Sequence, residues 1–215
     1  MKVSKAKLAE NRAAMIHAAG HLFQERGVDG VGIAEICKEA GLTHGALYAQ
    51  FGSKNGLLAE ALAASLQASR TRMLERGKKH TDPLMAYVDY YLSERHRDDI
   101  AGGCSFPALG ADVARQDALA GDRFADGFLA NVEAIACWLP HVPSEERISR
   151  ASAILSLMSG AVTASRAVSK VRPELATQIL SSARDAVESL TGKAAFADRR
   201  LGSERQMKKS ASATR

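Results

Sequence analysis

The residues of this sequence best suited to binding a nucleic acid are polar side chains grouped in one short stretch. They are Thr43, Tyr48, Gln50 and Lys54. Each can donate a hydrogen bond to a phosphate or to a base edge, the two kinds of target that a DNA-binding surface contacts. The small residues Gly45 and Ala46, which follow His44, would let the backbone come close to a groove.

A helix-turn-helix unit would position these side chains, and the stretch from Ile33 to Phe51 has its pattern. Two short amphipathic segments are joined by a tight turn at Gly41, a residue that readily adopts a left-handed backbone conformation. The apolar residues that would fix the angle between the helices are Ile36, Leu42, Leu47 and Phe51. The second helix of such a unit enters the major groove of DNA.

Cys104 is the other residue that could do chemistry. It lies in a glycine-containing loop, Ala101–Pro107, that leads into a predicted helix. Backbone donors and the helix dipole stabilise a thiolate at a helix N-terminus, so this position predicts a lowered thiol pKa and a reactive cysteine. The alternative is a small buried hydrophobic residue, the commoner role of a free cysteine. Cys37 and Cys137 are predicted to lie in the core.

Catalysis is the competing interpretation. A thiol-dependent enzyme would need Cys104 beside a basic histidine and an orienting carboxylate, and His96 and Asp98 are near it in the sequence. However, the sequence contains no recognisable nucleophile motif, phosphate-binding loop, metal-ligand cluster or catalytic carboxylate pair. We therefore expect no enzyme, no metal and no cofactor.

Composition and charge favour a cytoplasmic, helical protein. Of the 215 residues, 46% are hydrophobic and 5% are aromatic, and no stretch alternates apolar and polar residues over the length of a strand. The longest stretch without a charged residue, Ala151–Ser165, is shorter than the roughly 20 residues of a membrane-spanning helix. We find no secretory signal, and three widely spaced cysteines are not a disulfide framework.

The charge is unevenly distributed along the chain. Residues 1–56 contain 7 basic and 5 acidic residues, residues 57–192 contain 15 and 17, and residues 193–215 contain 7 and 2. An anionic partner is therefore expected at the ends of the chain, and the basic tail is predicted to be disordered. A DNA-binding protein of the architectural type, indifferent to sequence, would need a more basic middle region.

Apolar periodicity, prolines and capping residues predict an all-α fold of about nine helices. The predicted helices cover about 5–26, 33–40, 43–51, 54–77, 83–97, 105–113, 118–139, 144–169 and 173–191.

The stretch from about Ala14 to Leu62 resembles the DNA-binding domain of the TetR family of bacterial transcriptional repressors. The resemblance depends on Phe23–Gly27, on Ile33, Ile36 and Ala40–Thr43 across the turn, and on Leu47–Tyr48, Phe51–Lys54 and Leu57–Leu58. Two departures weaken individual contacts. Val31–Gly32 replaces the residues that often cap the second helix, and Asn55–Gly56 replaces an acidic pair.

The resemblance implies a role for each residue of the motif. Thr43, His44, Gly45, Ala46, Tyr48 and Gln50 fall on DNA-contacting positions, and Lys54 falls on a phosphate contact. An N-terminal arm with Lys2, Lys5, Lys7 and Arg12 would add salt-dependent attraction to double-stranded DNA. The implied division is a helix-turn-helix domain at 1–52, a helical ligand-binding and dimerisation domain at 53–192, and a tail at 193–215.

The resemblance also implies a homodimeric repressor that a small-molecule inducer, of unknown identity, releases from a palindromic operator. In some related proteins a cysteine at the position of Cys104 senses electrophiles or oxidants. The other candidate ligand-binding residues are large apolar groups: Phe106, Tyr91, Phe124, Phe128, Trp138 and Met158. Small residues of the predicted helix at 144–169, paired with the apolar stripe of the last helix, favour a dimer interface through these two helices. They are Ala151, Ser152, Ser159, Gly160, Ala161 and Ala164. The alternative is that these faces form intramolecular core.

Overall fold

A computed structural model describes residues 4–192, and every regular element in that range is helical. The α-helices are α1 (Lys5–Arg26), α2 (Ile33–Glu39), α3 (His44–Phe51), α4 (Lys54–Gly77), α5 (Pro83–Tyr91), α6 (Glu94–Asp98), α7 (Ser105–Val113), α8 (Ala118–Ala136), α9 (Arg147–Val168) and α10 (Pro173–Leu190). A short 3₁₀ turn at Ser144–Glu146 precedes α9. The all-α prediction is confirmed, whereas the predicted disorder of residues 193–215 concerns residues outside the described range.

One predicted helix is broken in two. The stretch expected to run from residue 83 to about 97 forms α5 and α6, with Leu92 and Ser93 between them. The hydroxyl oxygen of Ser93 accepts a hydrogen bond from the backbone N–H of His96 at 3.2 Å and so caps α6. A serine that satisfies the first donors of a new helix favours a break at its own position.

The N-terminal core is formed by α1, α2, α3 and the first half of α4. Met15, Phe23, Ile36, Leu47 and Leu58 are completely buried in it. Two residues of α7, Leu109 and Val113, complete this core, so a helix of the second half of the chain packs directly on the first half.

The turn between α2 and α3 has the geometry that the sequence predicts. Gly41 has a φ of 66°, and the N–H of Leu42 donates to the carbonyl of Cys37 at 2.8 Å. The N–H of Gly41 donates to the carbonyl of Lys38 at 3.1 Å, which completes a Schellman motif. This glycine therefore ends α2 and directs the chain into α3.

The body core is formed by the second half of α4 together with α5 and α7 to α10. Helices α4 and α8 pack very closely, since a Cβ added at Gly127 would lie 2.5 Å from the Cδ1 atom of Leu66. By length and composition alone, the segment Ser144–Val168 is apolar enough to cross a membrane. In the structure it packs against α8 and α10 as a helix of the bundle.

A polar network connects the two cores. The side-chain oxygen of Gln24 in α1 accepts hydrogen bonds from Ser105 at 2.5 Å and from Ser65 of α4 at 2.9 Å. The amide nitrogen of Gln24 donates to the carbonyl of Ala101 at 2.5 Å. Gln24 and Ser105 are buried, so the α1 helix is fixed to α4 and to the start of α7 through satisfied buried polar groups.

Candidate nucleic-acid interface and the Cys104 site

The N-terminus of α3 projects into solvent. Thr43 is its N-cap residue and accepts a hydrogen bond from the N–H of Ala46 at 3.3 Å. Thr43, His44 and Gly45 are exposed, and Ala46 is half-buried. The opposite side of the helix is anchored by the buried Leu47. The first turn therefore presents small and polar residues on a rigid support.

The remaining predicted contact residues of α3 differ in their exposure. Tyr48 is 53% exposed, although it is a large aromatic residue on a helix that packs on the N-terminal core. Gln50 is half-buried, and its backbone carbonyl accepts a hydrogen bond from Arg12 at 3.1 Å. Tyr48 therefore projects outward, whereas Gln50 lies at the edge of the helix next to α1.

Lys54 begins α4 and is partly occupied within the fold. Its Nζ atom donates to the carbonyl oxygen of Val28 at 2.6 Å and lies 5.8 Å from the centre of the Phe23 ring. An ammonium group has three protons, so the contact with Val28 leaves two donors for a phosphate. Ser53 caps the same helix end by accepting from the N–H of Gly56 at 2.9 Å.

The basic residues of α1 are less available than the sequence predicts. Arg12 forms an ion pair with Glu60 at 3.1 Å and lies over the ring of Phe51, 4.6 Å from its centre. Lys7 forms an ion pair with Glu10 at 3.1 Å. Arg12 is therefore a structural contact between α1, α3 and α4, and it is not part of a free arm. Lys2 lies outside the described residues.

Cys104 is the N-cap residue of α7, as its position predicts, but its thiol is buried. Only 2% of the residue is exposed. It lines a cavity of about 30 Å³ together with Tyr91, His96 and Arg72. This volume is that of roughly one water molecule.

The prediction of a lowered thiol pKa is wrong. Burial raises the pKa of Cys104, and hydrogen bonds to the Phe106 backbone and to Tyr91 and Ser69 offset this effect only in part. Desolvation disfavours the thiolate more than the helix N-terminus favours it. The thiol is therefore protonated at neutral pH, as expected for a buried cysteine.

His96 packs beside Cys104 but contacts its backbone. The Nε2 atom of His96 accepts a hydrogen bond from the N–H of Cys104 at 3.3 Å, and the Nδ1 atom lies 2.8 Å from the carbonyl of Tyr91. These partners require a neutral ring with its proton on Nδ1. Burial lowers the pKa of His96 to about 4. The ring therefore holds the loop that leads into α7.

Most of the candidate ligand-binding residues are ordinary core residues. Phe106 packs edge-on against Phe124 and Phe128, with ring centres 5.2 and 5.6 Å apart. Met158 is completely buried in the body core, and Trp138 packs against it. Of the predicted set, Tyr91 and Cys104 line the small cavity described above. The expected core position of Cys37 is confirmed, whereas that of Cys137 is wrong, because this C-cap residue of α8 is on the exposed side of the helix end.

The small residues of α9 and α10 divide into two groups. Ala151 and Ala161 are buried within the chain, so for them the alternative of intramolecular core is correct. Gly160 and Ala164 are exposed, as are Ser156 and Ala167, one turn apart along the same face of α9. On α10 the exposed face includes Leu175, Ser182 and Ala186. Because most side chains on these faces are small, another helix could pack closely against them.

Sequence reasoning missed two polar side chains that connect distant helices. Arg166 of α9 donates to the backbone carbonyls of Arg97 at 2.7 Å and His96 at 3.2 Å, next to the Cys104 site. Gln24 connects α1 to α7 through Ser105. A charged residue within the apolar pattern of α9 was a signal for Arg166, but long-range partners cannot be inferred from spacing.

Comparison with known proteins agrees with this geometry. Residues 15–61 match the model of the family described as bacterial regulatory proteins, tetR family. Two relatives are similar over part of their length. The HTH-type transcriptional repressor BepR of Brucella suis is 34% identical over 85 residues, which are 39% of this chain and 41% of BepR. The uncharacterised HTH-type transcriptional regulator YvdT of Bacillus subtilis is 32% identical over 93 residues, 40% and 47% of the two chains. This chain therefore spans less than half the length of either relative.

Solved structures are similar over most of the chain. Escherichia coli NemR in its reduced form has a TM-score of 0.70 at 20% identity, with 83% of this chain and 95% of NemR covered. A TetR-family regulator from Cytophaga hutchinsonii has a TM-score of 0.70 at 16% identity, with 88% and 98% covered. These identities establish a shared fold. The match to the tetR family model covers residues 15–61, which include the helix-turn-helix unit of α2 and α3.

Proposed function

We propose that this protein is a dimeric transcriptional repressor of the cytoplasm that binds a palindromic operator and is released from it by a small molecule. In this proposal α3 enters the major groove. Thr43, His44, Gly45, Ala46, Tyr48 and Gln50 are its DNA-contacting positions, and Lys54 contacts a phosphate.

The observation that carries the proposal is the exposure of the first turn of α3. Tyr48 follows the buried Leu47 on this helix and is itself 53% exposed. Gly45 leaves open space beside the helix, since the atom nearest to an added Cβ is the Thr43 hydroxyl oxygen at 3.9 Å. Such a surface suits close approach to a groove. The name of BepR as a repressor supports repression over activation.

A dimer is needed because one α3 helix covers only half of a palindromic site. Two copies of α3 must be about 34 Å apart to occupy successive major grooves. The exposed small residues of α9 and the exposed apolar residues of α10, such as Leu175 and Ala186, support an interface through these two helices.

The experiment is a fluorescence anisotropy titration with DNA taken from directly upstream of the protein's own coding sequence. A shuffled duplex of the same composition is the control, and sedimentation velocity gives the stoichiometry. We expect tighter binding to the upstream duplex by about 1,000-fold, with two chains per duplex. Equal affinity for both duplexes would instead support a sequence-indifferent architectural protein. Absence of binding to either duplex would contradict the proposal.

Release by an inducer requires an occupied site to alter the spacing of the two α3 helices. Tyr91 and Cys104 line a cavity with room for about one water molecule, so an inducer there would have to displace packed side chains. The raised pKa of Cys104 favours a non-covalent inducer over an electrophile.

Thiol-dependent catalysis has little support from the geometry. A catalytic histidine would accept the proton of the thiol, but the Nε2 atom of His96 accepts the backbone N–H of Cys104. The cavity beside this pair has no room for a substrate larger than a water molecule. Enzymatic function is therefore not part of the proposal.

A further inference from the structure

A groove of about 460 Å³ lies between α1 and α4. It shares Arg72 with the small cavity beside Cys104 but contains none of the candidate ligand-binding residues named above. The loop at residues 101–103 closes one end of it. Its volume is within the range of about 300–1,000 Å³ that is typical of small-molecule sites. Both of its walls, α1 and α4, belong to the N-terminal core that supports α3.

The walls of this groove, which we call the α1–α4 slot, are formed by small side chains. They are Ala13, Gly20, Ala61, Ala64 and Ala68, together with Ile16. Alanine and glycine on two facing helices leave a narrow space with flat apolar sides. On one lip the rings of His17 and His21 lie nearly parallel, with centres 6.3 Å apart and an angle of 19° between their planes. Flat walls and stacked rings suit a planar aromatic ligand.

The charge of the slot is positive. Arg72 lies at the end next to the 101–103 loop, where its guanidinium donates a long hydrogen bond of 3.4 Å to the carbonyl of Gly102. Among residues 4–192, no carboxylate lines the slot and no ion pair involves Arg72. The polar atoms of Gln24 and Ser65, which also line the slot, are already engaged in the network with Ser105 and Ala101. An arginine without an acidic partner at the end of an apolar slot is complementary to a carboxylate.

We propose that the α1–α4 slot binds a planar aromatic carboxylate. Its ring lies between the alanine-rich faces of α1 and α4, and its carboxylate is held by the guanidinium of Arg72. This site deepens the proposed function and rests on it in one respect: a ligand that touches both helices supporting α3 is coupled to operator binding, and the coupling is reciprocal. Binding itself does not depend on DNA.

The test is isothermal titration calorimetry on the full chain without DNA, with naphthalene-2-carboxylate as the probe. We expect one binding site per chain. The uncharged naphthalene-2-carboxamide should bind at least about tenfold more weakly, because it cannot form the charged hydrogen bonds to Arg72. Arg72→Gln should weaken binding of the carboxylate by about the same factor.

Arg70→Gln is the matched control. Arg70 is on the same helix, but its side chain donates to Gln67 at 2.8 Å and lines the groove between α4 and α8. This variant should bind the probe as the parent protein does. Ala64→Trp, at an exposed position in the wall of the slot, should abolish binding by filling the space. Circular dichroism checks that each variant is folded.

Two results would overturn the proposal. One is no heat of binding up to about 1 mM probe, a Kd too weak for a built site. The other is binding that Arg72→Gln and Ala64→Trp leave unchanged, since the probe would then occupy another site. Anisotropy titrations with and without the probe measure the coupling to DNA separately. A slot that binds the carboxylate in a protein that binds no DNA would contradict the proposed function and leave this site intact.

Discussion

The N-termini of α3 and α7 are built from similar local sequence and end in opposite environments. Each follows a turn or loop that contains glycine, and each has a polar or nucleophilic residue as its N-cap, Thr43 in one case and Cys104 in the other. Thr43 is exposed and its hydroxyl caps the helix, whereas Cys104 is buried and makes no side-chain cap.

The difference shows that a helix N-terminus does not determine the chemistry of its first residue. At α3 the surrounding chain leaves the first turn in water, so polar side chains there can contact a partner. At α7, Tyr91 and His96 cover the cysteine, and the cost of desolvating a thiolate exceeds the favourable effect of the helix end. The surrounding packing decides whether the residue is used for binding or for structure.

The largest effect is expected from a negative charge on the exposed N-terminus. In Gly45→Glu the new carboxylate would face the DNA backbone, and operator affinity should fall by at least about 100-fold, close to 3 kcal/mol. The open space at Gly45 means that stability should not change. Anisotropy titration measures the affinity.

Gly121→Glu on α8 is the control for this prediction, because a Cβ at Gly121 also meets no atom within 4 Å. It should bind the operator as the parent protein does. If both variants lose affinity equally, the exposure of α3 is not the reason, and the comparison between the two helix ends fails.

His96, which packs against the buried N-terminus of α7, should make the folded protein less stable at acidic pH. The pKa of His96 is about 4 in the folded protein, against about 6.5 in the unfolded chain, so the unfolded state binds the proton more readily. This contribution to stability is fully present above pH 6.5 and is lost as the pH falls toward 4. Between pH 7 and pH 5 we expect a loss of about 2 kcal/mol in the free energy of unfolding.

Urea unfolding at both pH values measures this loss, with His96→Gln as the comparison. The variant lacks the titrating ring, so its stability should change much less over the same interval. The charged groups around the ring act in both directions, since Arg166 and Arg72 disfavour its protonation and Asp99 favours it. Equal pH dependence in the two proteins would show that His96 is not the group responsible.

Cys104, at the buried N-terminus of α7, should react with thiol reagents more slowly than a cysteine at the surface. Cys104 is buried with a raised pKa, whereas Cys137 is exposed. In the folded protein, iodoacetamide should label Cys137 at least about tenfold faster than Cys104, and the two rates should become similar in urea. Mass spectrometry of the peptides gives both rates. Faster labelling of Cys104 would restore the interpretation of a reactive sensor.

The smallest effect is expected from removing the N-cap side chain of α3. Thr43→Ala removes the acceptor for the N–H of Ala46 and should reduce the free energy of unfolding by about 1 kcal/mol. Thr43→Ser keeps the acceptor and should restore most of the loss. Thermal unfolding measures both variants. A Thr43→Ala protein as stable as the parent would show that the cap contributes nothing to α3.

Local signals in the sequence predicted most of the fold. Gly41 placed the turn between α2 and α3, and the proline at position 83 placed the start of α5, because both residues restrict the backbone on their own. The break at Ser93 was missed, since the apolar pattern continues across it. The positions that face DNA in the family were inferred from the resemblance, and the structure shows that Gln50 and Lys54 also have partners within the fold.

The body could not be predicted in the same detail. Whether a large apolar residue lines a cavity or fills the core depends on neighbours from distant parts of the chain, as Phe106 and Phe124 illustrate. The pKa of Cys104 depends in the same way on α4, α5 and α9, none of which is adjacent to it in sequence. The spacing of sequence motifs identified Cys104 as an N-cap residue, but it could not predict the burial that raises its pKa.

The close contact between Gly127 and Leu66 is a point about which α4 can tilt relative to α8. This contact lies about 18 Å along the helix from Lys54, at a rise of roughly 1.5 Å per residue. A tilt of about 5° at that point would move the Lys54 end by roughly 1.5 Å. Because Gly127 has no side chain, α8 adds no bulk of its own at this point of contact. A bulkier residue at position 127 would therefore push α4 and α8 apart and so shift the Lys54 end of α4.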